Sequence, residues 1–246
     1  MFLNDAAILP TKSRNQNFER LYIALREQEQ RLYTDEQVRQ LPDIAPTNLH
    51  YKEWRIRKHS AERLISYLNK KKRRLNILEI GCGNGWLSAQ LAKIKGANVI
   101  GQDINRVEID QAKRVFQRNN LEFFCEEFDA VKFKYKFFDV IVFAASLQYF
   151  PSLKQILNQA LSCLSVVGEI HLLDTNFYNQ SNIDSAIQRT LVYYTKIGYP
   201  ELAGYYFHHR LDDLQGFDHK ILANPNTIMK RLQKGNPFYW ISIKKK

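Results

Sequence analysis

A glycine-rich turn between an apolar segment and a helical one constrains the fold of this 246-residue chain more than any other feature. The apolar segment Leu75–Ile80 has the length and composition of a buried strand. Three glycines follow it at alternate positions, namely Gly81, Gly83 and Gly85. Apolar residues then recur at helical spacing from Leu87 to Ile94. Because glycine permits a sharp turn and close backbone approach, the segment predicts a ligand-binding loop between a strand and a helix.

Apolar and amphipathic segments continue to alternate as far as Asp174. Further strands are predicted at residues 98–101, 121–125, 138–144 and 169–173, and helices at 53–68, 107–116 and 153–164. Such alternation is typical of a parallel sheet with right-handed crossovers. After Asp174, a predicted helix at 183–197 leads to two short strands, 217–222 and 238–243, which are close enough to pair antiparallel. Residues 1–52 are polar and helix-rich, and we interpret them as an N-terminal extension.

Composition excludes several classes of protein. With 45% hydrophobic residues the chain can bury a core, but its longest apolar run, residues 140–150, is too short for a membrane helix. The three cysteines are isolated and lack metal-ligand spacing, so we expect no metal site and a reducing, cytoplasmic setting. An acidic residue, Asp5, interrupts the start, which we do not expect to be a signal peptide.

The formal net charge is +11, which suits nucleic acid, a membrane surface or an acidic small substrate as partner. Two basic clusters stand out, 70–74 before the first predicted strand and 244–246 at the end of the last. We interpret both as solvated ends of elements. In a parallel sheet with an antiparallel last strand, both clusters belong on the edge opposite the ligand, which favours a small-molecule substrate over a nucleic acid.

The spacing of the glycines distinguishes between two kinds of ligand. A dinucleotide loop, GxGxxG, requires a third glycine at position 86, where this chain has Trp86. The pattern present is GxGxG preceded by Glu79, and Asp103 ends the second predicted strand. A carboxylate there can accept hydrogen bonds from both hydroxyls of a ribose, although it can also cap the following helix, a role open to Asn105.

Together with the segments 127–130 and 138–151, these features resemble the class I S-adenosylmethionine-dependent methyltransferases over residues 75–174. The resemblance implies a Rossmann-like α/β fold, a seven-stranded, mostly parallel sheet with helices on both faces and an antiparallel last strand. It implies S-adenosylmethionine as cofactor, bound by the domain 53–246. The implied cofactor-binding residues are Glu79, Gly81, Cys82, Gly83, Gly85, Asp103, Ile104, Asp129, Ala130, Ala144 and Arg57.

Two of these assignments have ordinary alternatives. Asp129 and the Ala130 amide would meet the adenine ring, but Asp129 can equally be a loop carboxylate that faces water. Arg57 would pair with the methionyl carboxylate, but it also suits a solvated helix face.

Fewer residues can be assigned from the sequence to the binding of the methyl acceptor. His208 and His209 are candidate general bases, or else a structural pair, and Tyr149 either lines the methyl site or packs in the core. Residues 1–52 and the aromatic segment 193–209 are expected to cap a small-molecule acceptor. No NPPY-like or Pro-Cys motif of the base-methylating branches is present. An RNA methyltransferase and a non-catalytic ligand-binding member of the fold remain the alternatives.

Overall fold

The glycine-rich turn stands at the carboxyl edge of a seven-stranded sheet. We describe the fold from a computed structural model, covering residues 11–134, 137–226 and 236–245, without the side chains of 11–15. The strands of this sheet are β1 (Leu75–Ile80), β2 (Ala97–Asp103), β3 (Leu121–Cys125), β4 (Phe138–Ala144), β5 (Leu164–Leu173), β8 (Asp218–Ala223) and β9 (Trp240–Lys244). A separate parallel pair is formed by β6 (Phe177–Tyr178) and β7 (His209–Arg210).

The strand order is β3-β2-β1-β4-β5-β9-β8. The first five strands run parallel, whereas β9 lies antiparallel between β5 and β8. This is the predicted Rossmann-like sheet with its antiparallel last strand, and that prediction is confirmed. The order reverses between β1 and β4, which opens a crevice beyond the carboxyl ends of the strands.

Helices cover both faces of the sheet. They are α1 (Thr11–Gln28), α2 (Asp35–Gln40), α3 (Tyr51–Asn69), α4 (Trp86–Leu91), α5 (Arg106–Val115), α6 (Leu153–Ser162) and α7 (Ile183–Lys196). Buried residues of α3, α4 and α5 form one core cluster with the sheet, and those of α6 belong to a second. No helix in the described ranges is long and apolar enough to cross a bilayer.

Side-chain alternation along β4 divides the two cores. Val140 and Val142 belong to the cluster under α3–α5, whereas Ile141 and Phe143 belong to the cluster under α6. All four side chains are fully buried. The continuous apolar sequence of β4 follows from this position, because a central parallel strand has no face in contact with water.

The N-terminal extension packs on the region that follows the fifth strand. Leu21 and Leu25 of α1 form a third apolar cluster with Tyr194 of α7 and with Leu202 and Tyr205 of the next short helix. The extension and the aromatic segment 193–209 therefore meet, as a shared cap over the carboxyl edge of the sheet requires.

Candidate active site

The glycine loop after β1 adopts a conformation that other residues would strain. Gly81 and Gly83 have φ angles of 76° and 53°. A Cβ on Gly81 would lie 2.3 Å from the Ser146 Cβ, because the segment that follows β4 passes close to the turn. The Gly81 and Cys82 amides both donate to the Gln102 carbonyl, which fixes the loop to the end of β2. Glycine is therefore required here by both dihedral angle and space.

Two backbone amides hold the Asp103 side chain in place beside the glycine loop. Its carboxylate accepts hydrogen bonds from the Gly83 amide at 2.9 Å and from the Asn105 amide at 2.9 Å. Burial raises its pKa, while those amide hydrogen bonds lower it. The cap of α5 is Asn105, whose side chain accepts from the Glu108 amide. Asp103 is thus not the helix cap, and the alternative interpretation of this residue does not hold.

A cavity opens between this loop and α1. The residues predicted from sequence that line it are Arg57, Glu79, Gly81, Cys82, Gly83, Asp103, Ile104, Ala144 and Tyr149. They come from α3 and from the carboxyl ends of β1, β2 and β4, which meet at this edge. The Cys82 thiol is buried, which raises its pKa well above the ordinary value.

Two further carboxyl groups in the cavity wall have raised pKa values. Burial, with the charge of Asp103 adding to it, raises the pKa of Glu79 to about 8, against a partly offsetting hydrogen bond from Ser88 at 2.5 Å. Burial and the same Asp103 charge raise the pKa of Glu108 to about 7, while Arg26 and Arg57 lower it. The wall therefore carries a group of carboxyls that are costly to ionise together without a ligand.

An ion-pair network forms the side of the cavity next to α3. Glu53 accepts from Arg31 at 2.8 Å and from Arg57 at 2.8 Å. Burial raises the Glu53 pKa, but these arginines outweigh it and bring the value to about 2. The Arg57 guanidinium also lies 5.2 Å from the centre of the Trp54 ring. Arg57 therefore faces the cavity as part of a fixed network and is not a solvated surface residue.

Aromatic rings of α1 close the cavity from above. Phe18 lies 5.4 Å from Tyr149 and 5.3 Å from Tyr205, measured between ring centres. Tyr22 meets Tyr149 edge-on at 5.9 Å and accepts a hydrogen bond from Arg26 at 2.8 Å. These four rings and Arg26 all line the cavity. Phe18, Tyr22, Arg26 and Glu108 were not predicted as site residues. For the first three, the available signal is their i, i+4, i+8 spacing, which places them on one face of α1.

Three predicted cofactor-binding residues lie outside the cavity wall. Gly85 packs within the fold, since a Cβ there would lie 2.6 Å from the Phe123 ring. Asp129 is exposed and accepts from the Val131 amide at 2.9 Å, so it and Ala130 begin a short helix instead. The chain lines the cavity slightly earlier, at residues 126–128. Gln102 holds this segment through hydrogen bonds to the Glu126 and Glu127 carbonyls.

The two histidines also lie outside the wall. His209 is buried in β7, where its Nε2 atom lies 3.0 Å from the Leu147 carbonyl. His208 has its Nε2 atom 2.9 Å from the Thr190 hydroxyl and stands between the Tyr178 and Tyr206 rings. Burial lowers the pKa of both imidazoles. This placement matches the structural interpretation of the pair better than the role of a general base.

Besides Arg31 Nε, which lies 3.2 Å from a Glu29 carboxylate oxygen, two polar atoms of the cavity-lining residues have no hydrogen-bond partner in the described part of the chain. They are the Gln102 Oε1 and the Asn105 Nδ2, both buried. Leaving such atoms unpaired costs about 1–3 kcal/mol each. Their position, beside Asp103, is where a polar ligand would satisfy them.

Sequence comparison identifies a known domain in the same region. Residues 77–168 match the model of a methyltransferase domain. A malonyl-[acyl-carrier protein] O-methyltransferase of Bacillus anthracis is 29% identical over 117 residues, which cover 46% of this chain and 43% of that protein. A ubiquinone biosynthesis O-methyltransferase of Coxiella burnetii is 27% identical over 103 residues, covering 41% and 44%. The alignments thus span less than half the length of these curated relatives.

Solved structures show the same fold. The magnesium protoporphyrin IX methyltransferase of Synechocystis PCC 6803, crystallised with bound SAM, matches with a TM-score of 0.58 over 99% of both chains at 15% identity. The plantazolicin methyltransferase BpumL, in complex with SAH, matches with a TM-score of 0.55 over 92% of this chain and 99% of that one, at 20% identity.

Proposed function

We propose that this chain, whose residues 77–168 match a methyltransferase domain, is a class I S-adenosylmethionine-dependent methyltransferase that transfers a methyl group to a small-molecule acceptor. The observation that carries the proposal is the pairing of the glycine loop with Asp103 at the rim of the cavity. A carboxylate at such a point can accept hydrogen bonds from a ribose diol, and glycines allow the backbone to approach an adenosyl group closely beside it.

The residues present fit this cofactor. Asp103 Oδ1 and Oδ2 each accept one backbone amide, and a carboxylate oxygen has a further lone pair for a ribose hydroxyl. The unpaired Gln102 Oε1 and Asn105 Nδ2 supply an acceptor and a donor next to the same place. We assign the adenine ring to the segment 126–128, in place of Asp129 and Ala130, because that segment lines the cavity.

The arginine network suits the amino-acid end of the cofactor. Arg57 and Arg31 hold Glu53 between them and face the cavity next to the glycine loop. A guanidinium retains free donors after one carboxylate is bound, so the methionyl carboxylate fits here. Glu79, which is protonated around neutral pH at a pKa of about 8, adds no negative charge against that carboxylate.

For methyl transfer, the protein mainly has to position the acceptor atom relative to the methyl group. When bound, S-adenosylmethionine supplies an activated methyl group. The protein holds the acceptor atom in line with it, an effect that contributes about 7–11 kcal/mol in well-oriented systems. Tyr149, in the short helix that follows β4, presents its ring to the cavity and suits a neighbouring cationic centre. His208 and His209, bonded elsewhere, keep the cap in place instead of removing a proton.

The acceptor site that we propose is the aromatic part of the cavity. Phe18, Tyr22, Tyr149 and Tyr205 form walls that favour a planar or otherwise apolar molecule. Residues 1–52 together with 193–209 act as its cap. The free thiols of Cys82, Cys125 and Cys163 fit a reducing, cytoplasmic setting for the reaction.

Transfer of an isotopically labelled methyl group tests the proposal. The protein is incubated with labelled S-adenosylmethionine and a cell extract, which is then separated into small molecules, RNA and protein. We expect label in the small-molecule fraction, and much less with the Asp103→Ala variant at a cofactor concentration that does not saturate it. Label in the RNA fraction would favour the RNA methyltransferase alternative. Tight binding of S-adenosylhomocysteine without transfer to any fraction would favour the non-catalytic one.

A further inference from the structure

The edge of the sheet opposite the cavity is strongly basic. The cluster Lys70–Arg74 precedes β1, and Lys93 and Lys95 precede β2. Leu75 pairs with Ala97 in a parallel register, so the starts of these strands lie side by side. Lys244 pairs with Glu169 of β5 in the antiparallel register, which brings the end of β9 to this same edge. We call this surface the basic edge.

Side-chain contacts join these separate clusters. Lys71 and Lys244 both reach Glu169, at 3.0 Å and 3.5 Å from its carboxylate oxygens. The Arg73 guanidinium pairs with Asp139 at 2.5 Å. Lys245 donates to the Leu164 carbonyl at 3.1 Å. The two basic clusters of the sequence are therefore one continuous surface, centred on the start of β5.

The basic edge keeps a large positive excess. Its basic residues are the five of 70–74 together with Lys93, Lys95, Lys244 and Lys245, and the carboxylates in contact with them are Asp139 and Glu169. Asp218, opposite Lys244 in β8, and Glu122 of β3 are the other acidic residues near this edge. Lys70, Lys72 and Arg74 are exposed. The cavity wall at the opposite edge carries three arginines but six carboxyl groups, so the positive excess lies at the basic edge. The six are those of Glu53, Glu79, Asp103, Glu108, Glu126 and Glu127.

Large apolar side chains project from the same place. Val166 is 84% exposed, Val167 69% and Phe137 57%. The register between β4 and β5 shifts after Phe138, and the residues that follow Leu164 bulge outward there. Ser165, next to Val166, lies 3.5 Å from the Asp139 carboxylate that also binds Arg73. The apolar tip, which we define as Phe137, Val166 and Val167, thus adjoins the basic edge.

We infer that this combined surface docks the protein on an anionic lipid bilayer. Lysine and arginine are attracted to acidic headgroups, while aromatic and aliphatic side chains enter the boundary between headgroups and acyl chains. A nucleic acid would bind to the positive charge, but its phosphate backbone offers no apolar environment for the three exposed side chains of the apolar tip. The cavity, at the far edge of the sheet, stays open to water in the docked protein. Docking therefore controls location and leaves cofactor binding unchanged.

Sedimentation with vesicles tests this inference. We expect the full chain to bind vesicles of phosphatidylcholine with 30% phosphatidylserine, and not vesicles of phosphatidylcholine alone. The double variant Lys70→Glu/Lys72→Glu should bind at least about 30-fold more weakly, since each basic residue near an anionic surface contributes appreciably and its reversal adds repulsion. Val166→Ser/Val167→Ser should bind about tenfold more weakly and retain the salt dependence of the wild type.

A matched control carries the same charge change elsewhere. Lys52→Glu/Lys154→Glu alters two exposed lysines in the first turns of α3 and α6, near the cavity edge. This control should bind vesicles like the wild type, and all variants should bind S-adenosylhomocysteine equally. Equal loss in the control pair would mean that only net charge matters, which overturns the inference. Tight RNA binding that depends on Lys70 and Lys72 but not on Val166 and Val167 would also overturn it, in favour of a nucleic-acid surface.

Discussion

At the scale of single residues, the site depends on how Asp103 is bound. The carboxylate is held by two backbone amides, so it is oriented before any ligand arrives. Removing it takes away an acceptor for the ribose and releases the Gly83 amide. Because Asp103 is the last residue of β2 and its side chain lines the cavity, the sheet core does not depend on that side chain.

We therefore predict that Asp103→Ala weakens binding of S-adenosylhomocysteine by about 1.5–3 kcal/mol, the range for hydrogen bonds to a charged group. Titration calorimetry measures the change. Asp110→Ala, an exposed carboxylate on α5 outside the cavity, serves as the control and should bind normally. If folded Asp103→Ala bound the ligand like the wild type, Asp103 would serve only to hold the loop.

Glu79 gives a prediction about pH. Its pKa is about 8 in the folded protein and near the ordinary 4.5 when unfolded. The folded state therefore holds an extra proton between these values, and its contribution to the free energy of unfolding falls as pH rises from about 4.5 to about 8.

Glu79→Gln should remove this dependence. Relative to the variant, the wild type should lose at most about 5 kcal/mol of unfolding free energy between pH 5 and pH 9. Urea unfolding of both proteins at several pH values measures the difference. A constant difference across this range would show that the Glu79 carboxyl is ionised in the folded protein at all of them.

Sequence predicts residues well where backbone geometry demands them. Gly81 and Gly83 could be predicted because their turn admits few other residues, and Asp103 because it ends a strand beside that turn. Asp129 and His208 were chosen by chemical type. Asp129 accepts from the Val131 amide, which depends on how the loop folds locally. His208 contacts Thr190, which is 18 residues away, and a local sequence pattern cannot predict such a contact.

At the scale of elements, strong periodicity fixed the strands and helices of the sheet. The predicted helix 183–197 differs from α7 by one residue, whereas β5 starts at Leu164, five residues before its prediction. Exposed Val166 and Val167 obscure the start of that strand. The β6–β7 pair was not predicted, because two-residue strands joined across 30 residues carry no local signal.

The helix α1 is held by tertiary contacts, which makes it sensitive to a single substitution. Leu25 is 4% exposed and packs against α7 and the adjoining short helix. Leu25→Ala should cost about 2–4 kcal/mol of that docking, since truncation of a buried leucine leaves a cavity. Amide exchange in α1 should accelerate by at least about 30-fold while exchange in β1 and β4 stays unchanged.

Glu27→Ala, an exposed position in the same helix, is the control and should leave exchange unaltered. Because α1 covers the cavity, Leu25→Ala should also bind S-adenosylhomocysteine more weakly. Acceleration that spread equally to the sheet strands would mean that α1 and the sheet unfold as one unit, and that α1 is not a separately docked cap.

At the scale of the whole molecule, the two proposed functions occupy opposite edges of one sheet. The cavity gathers carboxyls and unpaired polar atoms, while the basic edge gathers lysines and an apolar tip. The directions of the strands enforce this division, because parallel strands start at one edge and end at the other. The remote position predicted for the basic clusters from sequence agrees with the registers of β1, β2 and β9.

Ligand binding at the cavity should stabilise the whole fold, since the glycine loop, α3 and the cap all border it. S-adenosylhomocysteine at 100 times its dissociation constant adds about 2.7 kcal/mol, which raises the melting temperature by about 5–10 °C for a chain of this size. NAD at the same concentration should give no shift. Trp86 occupies the position of the third dinucleotide glycine, where it is 6% exposed and packs edge-on against Trp54 at 5.3 Å between ring centres. This indole blocks the close packing that a pyrophosphate loop needs. Differential scanning fluorimetry compares the two ligands directly, and a larger shift with NAD would replace the methyltransferase assignment with that of a dinucleotide-binding protein.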